Sequence, residues 1–131
     1  MKIYKNRTFD RWARKEGLNN LSLCNAVNEM AAGLYDADLG GGLFKKRIAR
    51  PGKGKSGGFR TLVATNNEDR WFFIFGFSKN ERSNIDNDEE EALKMLSKQL
   101  LAYTHDELEQ AKNSNALIEV ICDASEKISD S

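Results

Sequence analysis

Apolar residues recur along this chain with two different periods, and each switch between them marks an element. Ile3 and Tyr4 open the chain as a short strand. Phe9, Trp12 and Ala13 then follow helical spacing as far as Gly17, with Thr8 at the N-cap position. A second stripe, Leu23, Val27, Met30, Ala31 and Leu34, reads as a helix capped by Asn19 or Asn20 and closed at Gly33. These two helices predict a hairpin whose apolar stripe belongs to the core.

Residues 36–42 are turn-rich, and Gly40, Gly41 and Gly42 lack the spacing of a nucleotide-binding fingerprint, so they read as a loop. Residues 43–50 look extended, with Lys45, Arg47 and Ala49 on one face and Lys46, Ile48 and Arg50 on the other. Pro51 with Gly52, Gly54, Gly57 and Gly58 predicts a flexible loop. In the next strand Phe59, Thr61 and Val63 alternate with Arg60, Leu62 and Ala64, and Asn66 and Asn67 supply a turn. Residues 70–77 are apolar on both faces, which predicts a central strand covered on two sides.

Asp86 or Asp88 opens a long helix with an acidic first turn, its buried face carrying Leu93, Leu96, Leu100 and Tyr103. Thr104 and Glu107 make a capping box for a shorter helix. Residues 117–122 then read as a last strand, and 123–131 as a fraying tail. The class is α+β: a helical hairpin, a three-stranded meander, a long helix and a small αβ appendage from about residue 104.

A length of 131 residues suits one domain over 1–131. Its 20 basic and 20 acidic residues cancel, so no whole-protein field draws it to nucleic acid, but the charges are segregated. The run KKRIARPGKGKSGGFR over 45–60 holds seven cations and no acid, whereas 86–91 holds five acids. Cys24 and Cys122 match no metal or disulfide pattern and read as two buried thiols. No secretory leader and no membrane span is visible, which makes a cytoplasmic protein without membrane association the default expectation.

The chemistry to be sought is therefore anion binding. Arg60 lies on the strand next to Lys45 and Arg47, and Lys79, Asn80 and Arg82 follow the central strand, so adjacent strands can gather cations on one surface. Glycine amides among Lys53 and Lys55 can approach phosphates closely. His105 is the only histidine, which rules out a histidine pair, and neither a Ser-His-Asp arrangement nor a metal set can be assembled. Any catalysis falls to Lys and Arg. That suffices for RNA cleavage by the 2′-OH, with arginine holding the growing phosphate charge and a lysine among other cations losing its proton.

The run GGLFKKRIARPGKGKSGGFRTLVA, followed by FFIFGFSKNERSNID, LLAYTHDELEQA and ALIEV, resembles the HigB-like branch of the RelE/ParE toxins of type II toxin-antitoxin modules over nearly the whole chain. The resemblance implies a RelE-like fold, with an N-terminal helical hairpin packed on an antiparallel β-sheet. It also implies a ribosome-dependent mRNA endonuclease that needs no cofactor or metal. The implied partners are the ribosome with its mRNA and a cognate antitoxin, a HigA-like helix-turn-helix protein. Carried over residue by residue, the cleavage groups fall on Lys45, Arg47 and Arg60. A further RelE arginine falls on Asn80, beside Lys79, and the RelE tyrosine falls on Asp86. The general base thus stays open among Lys45, Lys79 and Asp86, while Lys46, Arg50, Lys53, Lys55 and Arg82 are expected to contact RNA phosphates. The alternatives are a ParE-like gyrase poison and an inactive binding relative.

Overall fold

Asn6 both ends the first strand, β1 (Lys2–Asn6), and caps the first helix, α1 (Arg7–Glu16), its Oδ1 accepting the Phe9 N–H at 2.8 Å. This moves the start of α1 ahead of the expected Thr8 cap. Asn6 is also the better anchored residue, because its amide donates to the Ile74 carbonyl at 3.1 Å. Gly17 ends α1 in the left-handed region at φ 75°, and Asn19 caps α2 (Asn20–Ala31). Leu23, Val27 and Met30 are buried as predicted. Leu34 is not: it lies past the turn at Gly33 and is 60% exposed, because the stripe outruns the helix.

The computed structural model describes residues 1–50 and 58–122; the expected glycine loop and the acidic tail lie outside them. The remaining elements are β2 (Ala37–Gly40), β3 (Leu43–Ile48), β4 (Phe59–Thr65), β5 (Arg70–Ser78), α3 (Asn87–Leu101), α4 (His105–Asn113) and β6 (Leu117–Glu119). β3, β4 and β5 form the expected antiparallel meander. The sheet is wider than that meander, with six strands in the order β2-β3-β4-β5-β1-β6. The segment read as a loop supplies β2, paired to β3 through a turn in which Gly40, Gly41 and Gly42 all have positive φ. A side chain at Gly42 would also meet the Leu101 Cδ1, so this turn admits only glycine at that position. β1 inserts beside β5 in parallel, and β6 pairs antiparallel with its far edge.

Both faces of this sheet are covered. Phe9, Leu23, Val27, Phe59, Val63, Trp71 and Phe73 pack under α1 and α2. Leu43, Leu62, Ala64, Phe72, Ile74 and Leu100 pack under α3 and α4. Trp71 and Phe72, adjacent in β5, point into opposite layers and are both fully buried. Each such side chain stabilises the fold by about 1.5–3 kcal/mol. Cys24 and Cys122 form a disulfide, which corrects the expectation of two separate thiols. Pairing of β6 with β1 returns Cys122 to α2 across 98 residues of sequence, leaving the two Cα atoms 5.8 Å apart.

Candidate active site

β3 separates its cations by alternation. Lys46 faces α2, where its ammonium meets Glu29 at 2.6 Å and the Leu34 carbonyl at 3.0 Å, and the residue is 7% exposed. Lys45 and Arg47 take the other face, the one shared with Leu43 and Leu62 beneath α3. The β3–β4 register then sets Arg47 directly opposite Arg60, and Arg60 opposite Phe77 of β5. Like charges facing each other across a ladder are unfavourable. Among the described residues neither guanidinium meets a carboxylate, and the Nη1 of Arg60 is buried with no hydrogen-bond partner. The Trp12 and Trp71 indole N–H groups are likewise unpaired, but they are neutral donors within the apolar layer, whereas Arg60 carries a charge. One donor of this charged group is therefore left unsatisfied by the fold.

The rim of this surface is built by the segment between β5 and α3. The Lys45 ammonium donates to the Asn84 Oδ1 at 2.9 Å. Arg82 lies over the Phe77 ring at 5.5 Å and grips Glu89 with its two terminal guanidinium nitrogens, Nη1 reaching Oε2 at 3.0 Å. This bond holds the Glu89 carboxyl below its ordinary range and raises Arg82 above its own. Asp86 caps α3, its Oδ1 accepting the Glu89 N–H at 2.8 Å within a capping box. Lys79 and Asn80 are exposed at the end of β5, where the Lys79 N–H donates to the Gly58 carbonyl at 3.1 Å.

Of the residues singled out in the sequence, the fold therefore gathers Lys45, Arg47 and Arg60 on one face. It sends Lys46 and Arg50 to the other, where Arg50 pairs with Glu16 at 3.7 Å and covers the Phe59 ring. Arg82 belongs to the rim, while Lys53 and Lys55 lie outside the described residues. Asn84 and Glu89 were not singled out. Asn84 stood only in a polar cluster, and Glu89 only in an acidic helix start; the contact of each is made by the tertiary fold. A cleft of about 610 Å³ between α1 and the α4–β6 turn, lined by Arg7, Arg11 and Arg14, lies on the α1 side of the sheet, away from this face.

A family model described as the RelE toxin of the RelE/RelB toxin-antitoxin system matches residues 1–120. The chain belongs to the RelE toxin family. No curated protein matches it significantly. The match spans every element of this RelE-family toxin, β6 included, and the mixed architecture agrees with a RelE-like fold. Membership makes the protein a toxin of a toxin-antitoxin system, with an antitoxin as its partner. No helix among the described residues is long and apolar enough to cross a membrane, and no group of acids, histidines or cysteines there has metal-binding geometry.

Proposed function

We propose that this RelE-family toxin is a ribosome-dependent mRNA endonuclease of the HigB-like branch, built as one domain with a C-terminal appendage and neutralised by a HigA-like antitoxin. The observation that carries the reading is the facing pair Arg47 and Arg60, whose guanidinium groups have no carboxylate partner among the described residues and one of which keeps a buried donor open. A structural pair of that kind costs stability and returns none; a scissile phosphate between them satisfies both. In the reaction the 2′-oxygen loses its proton to a base and attacks phosphorus. Arg47 and Arg60 hold the charge on the non-bridging oxygens, and the 5′-oxygen leaves and takes a proton from water, giving a 2′,3′-cyclic phosphate. Of the three candidate bases, Asp86 has its carboxylate engaged at the α3 cap, so Lys45 and Lys79 are favoured. Lys53 and Lys55 supply further phosphate contacts in this reading.

With the single histidine, His105, at the start of α4 rather than among these strand cations, the free toxin positions RNA poorly, and the ribosome supplies in-line geometry worth about 7–11 kcal/mol. The test compares purified toxin on naked mRNA with the same mRNA programmed into ribosomes with an open A site. Rapid cleavage on ribosomes alone supports the proposal. Efficient cutting of naked RNA refutes the ribosome dependence, and gyrase-linked DNA breaks with intact mRNA establish a ParE-like poison instead.

A further inference from the structure

Lys45 is flexible by nature, with a four-carbon stem and a freely rotating ammonium, yet here one acceptor fixes its nitrogen: the Asn84 Oδ1 at 2.9 Å. Asn84 is itself held from several sides. The same oxygen accepts the Ile85 N–H at 2.9 Å, and Ile85 is buried in the layer beneath α3. The Asn84 carbonyl accepts the Arg82 Nε–H at 3.0 Å. Arg82 is anchored on Phe77 and Glu89, and Glu89 closes the α3 capping box by accepting the Asp86 N–H at 2.9 Å. Residues 82–89 thus form a brace whose working end is one amide oxygen aimed at Lys45.

The charges around Lys45 give that amide its meaning. Arg47 lies two residues along the same face of β3, and Arg60 stands opposite Arg47 on β4. Four carboxylates of the neighbouring segments are engaged elsewhere. Asp36, before β2, accepts the Arg47 backbone N–H; Asp86 caps α3; Glu89 holds Arg82; and Glu90 pairs with Lys94 at 3.1 Å. A carboxylate at position 84 would favour the ammonium form of Lys45. The Asn84 oxygen accepts a hydrogen bond from either the ammonium or the neutral amine, so it places the nitrogen without fixing its charge.

We propose that Asn84 is a positioning residue that holds Lys45 in place, through a neutral acceptor, to act as the general base of RNA cleavage. The inference rests on the nuclease reading above and selects Lys45 from its candidate bases. It is tested by initial cleavage rates on programmed ribosomes, between about pH 6 and pH 9, for the parent and for Asn84→Asp and Asn84→Ala. Asn84→Asp keeps the shape and the Ile85 bond, so its thermal midpoint should stay near the parent's. Its carboxylate favours the ammonium form, so the rising limb of its pH profile moves to higher pH by about one unit, with about tenfold slower cleavage at neutral pH that recovers as pH rises. Asn84→Ala frees the Lys45 side chain and should lower the rate at every pH without moving the limb. If the parent cuts mRNA and Asn84→Asp retains the parental pH profile, the positioning inference alone fails. If the parent leaves ribosome-bound mRNA intact, the nuclease reading fails and takes this inference with it.

Discussion

Replacing Arg60 by methionine should make the protein more stable and less active at once. Methionine keeps a long unbranched stem for the contacts with Phe77 and the α3 layer while removing the guanidinium. Two costs in the folded state disappear with it. The buried Nη1 has no partner, and an unsatisfied buried donor costs about 1–3 kcal/mol. Arg60 also faces Arg47 directly, and a like-charge cross-strand pair adds a few tenths of a kcal/mol up to about 1. Loss of some packing and of solvation by the exposed part of the side chain offsets part of this, so the net gain should be about 1–2 kcal/mol. For a chain of this length that is roughly 4–8 °C in thermal midpoint. On ribosomes, loss of one preorganised cation from the transition state should lower the cleavage rate about 10²–10³-fold. The assays are thermal unfolding by circular dichroism and cleavage of programmed mRNA, on the same preparation. A variant that unfolds several degrees below the parent would refute the reasoning, because Arg60 would then be a structural residue with a satisfied charge; a stable variant that still cuts at the parental rate would refute its catalytic role.

Three other outcomes follow from the packing. Native protein should contain no reactive thiols, and reduction of the Cys24–Cys122 disulfide should lower the unfolding free energy by about 2–4 kcal/mol in denaturant titrations; titratable thiols in the unreduced native protein would contradict the pairing. A Cβ at Gly76 would collide with the Trp12 ring, which Phe9 and Phe59 hold in place, so Gly76→Ala should cost about 1–3 kcal/mol; an unchanged thermal midpoint would show that Trp12 can move. Burial pushes the Asp10 carboxyl up, but the Lys5 ammonium at 2.8 Å, with Arg14, more than reverses this and holds it below its ordinary 3.8. Its stabilisation is therefore present above that ordinary value and is lost as pH falls through the lower folded value. Unfolding free energies of the parent and Asp10→Asn should converge as pH falls through that lower folded value. A gap of constant size from neutral to acid pH would remove Asp10 from the acid response.

What was legible in the sequence was local. The continuous apolar run over 71–77 marked β5 as a strand covered on both faces, and Thr104 with Glu107 marked the start of α4, because such runs and capping depend on neighbours a few residues away. Alternation along β3 already separated Lys45 and Arg47 from Lys46. The motifs in that region also carried the resemblance to RelE/ParE toxins, and the match over residues 1–120 bears out the RelE family.

The partners of those side chains were decided only by the tertiary fold. Pattern alone does not say that Arg47 faces Arg60, since register depends on how β3 meets β4 across a loop of unspecified geometry. Nor does it say that Lys46 is spent on Glu29, that Arg82 is clasped by Glu89, or that Asn84 waits for Lys45 from 39 residues away. β2 was hidden because a four-residue edge strand is too short for its period to show. The disulfide was hidden for a related reason: Cys24 and Cys122 meet only after β1 has entered the sheet beside β5 and β6 has paired with β1. A cation's type is written in the chain, but whether it binds a carboxylate, a neighbour's carbonyl or a passing phosphate depends on which segments the sheet brings to its side.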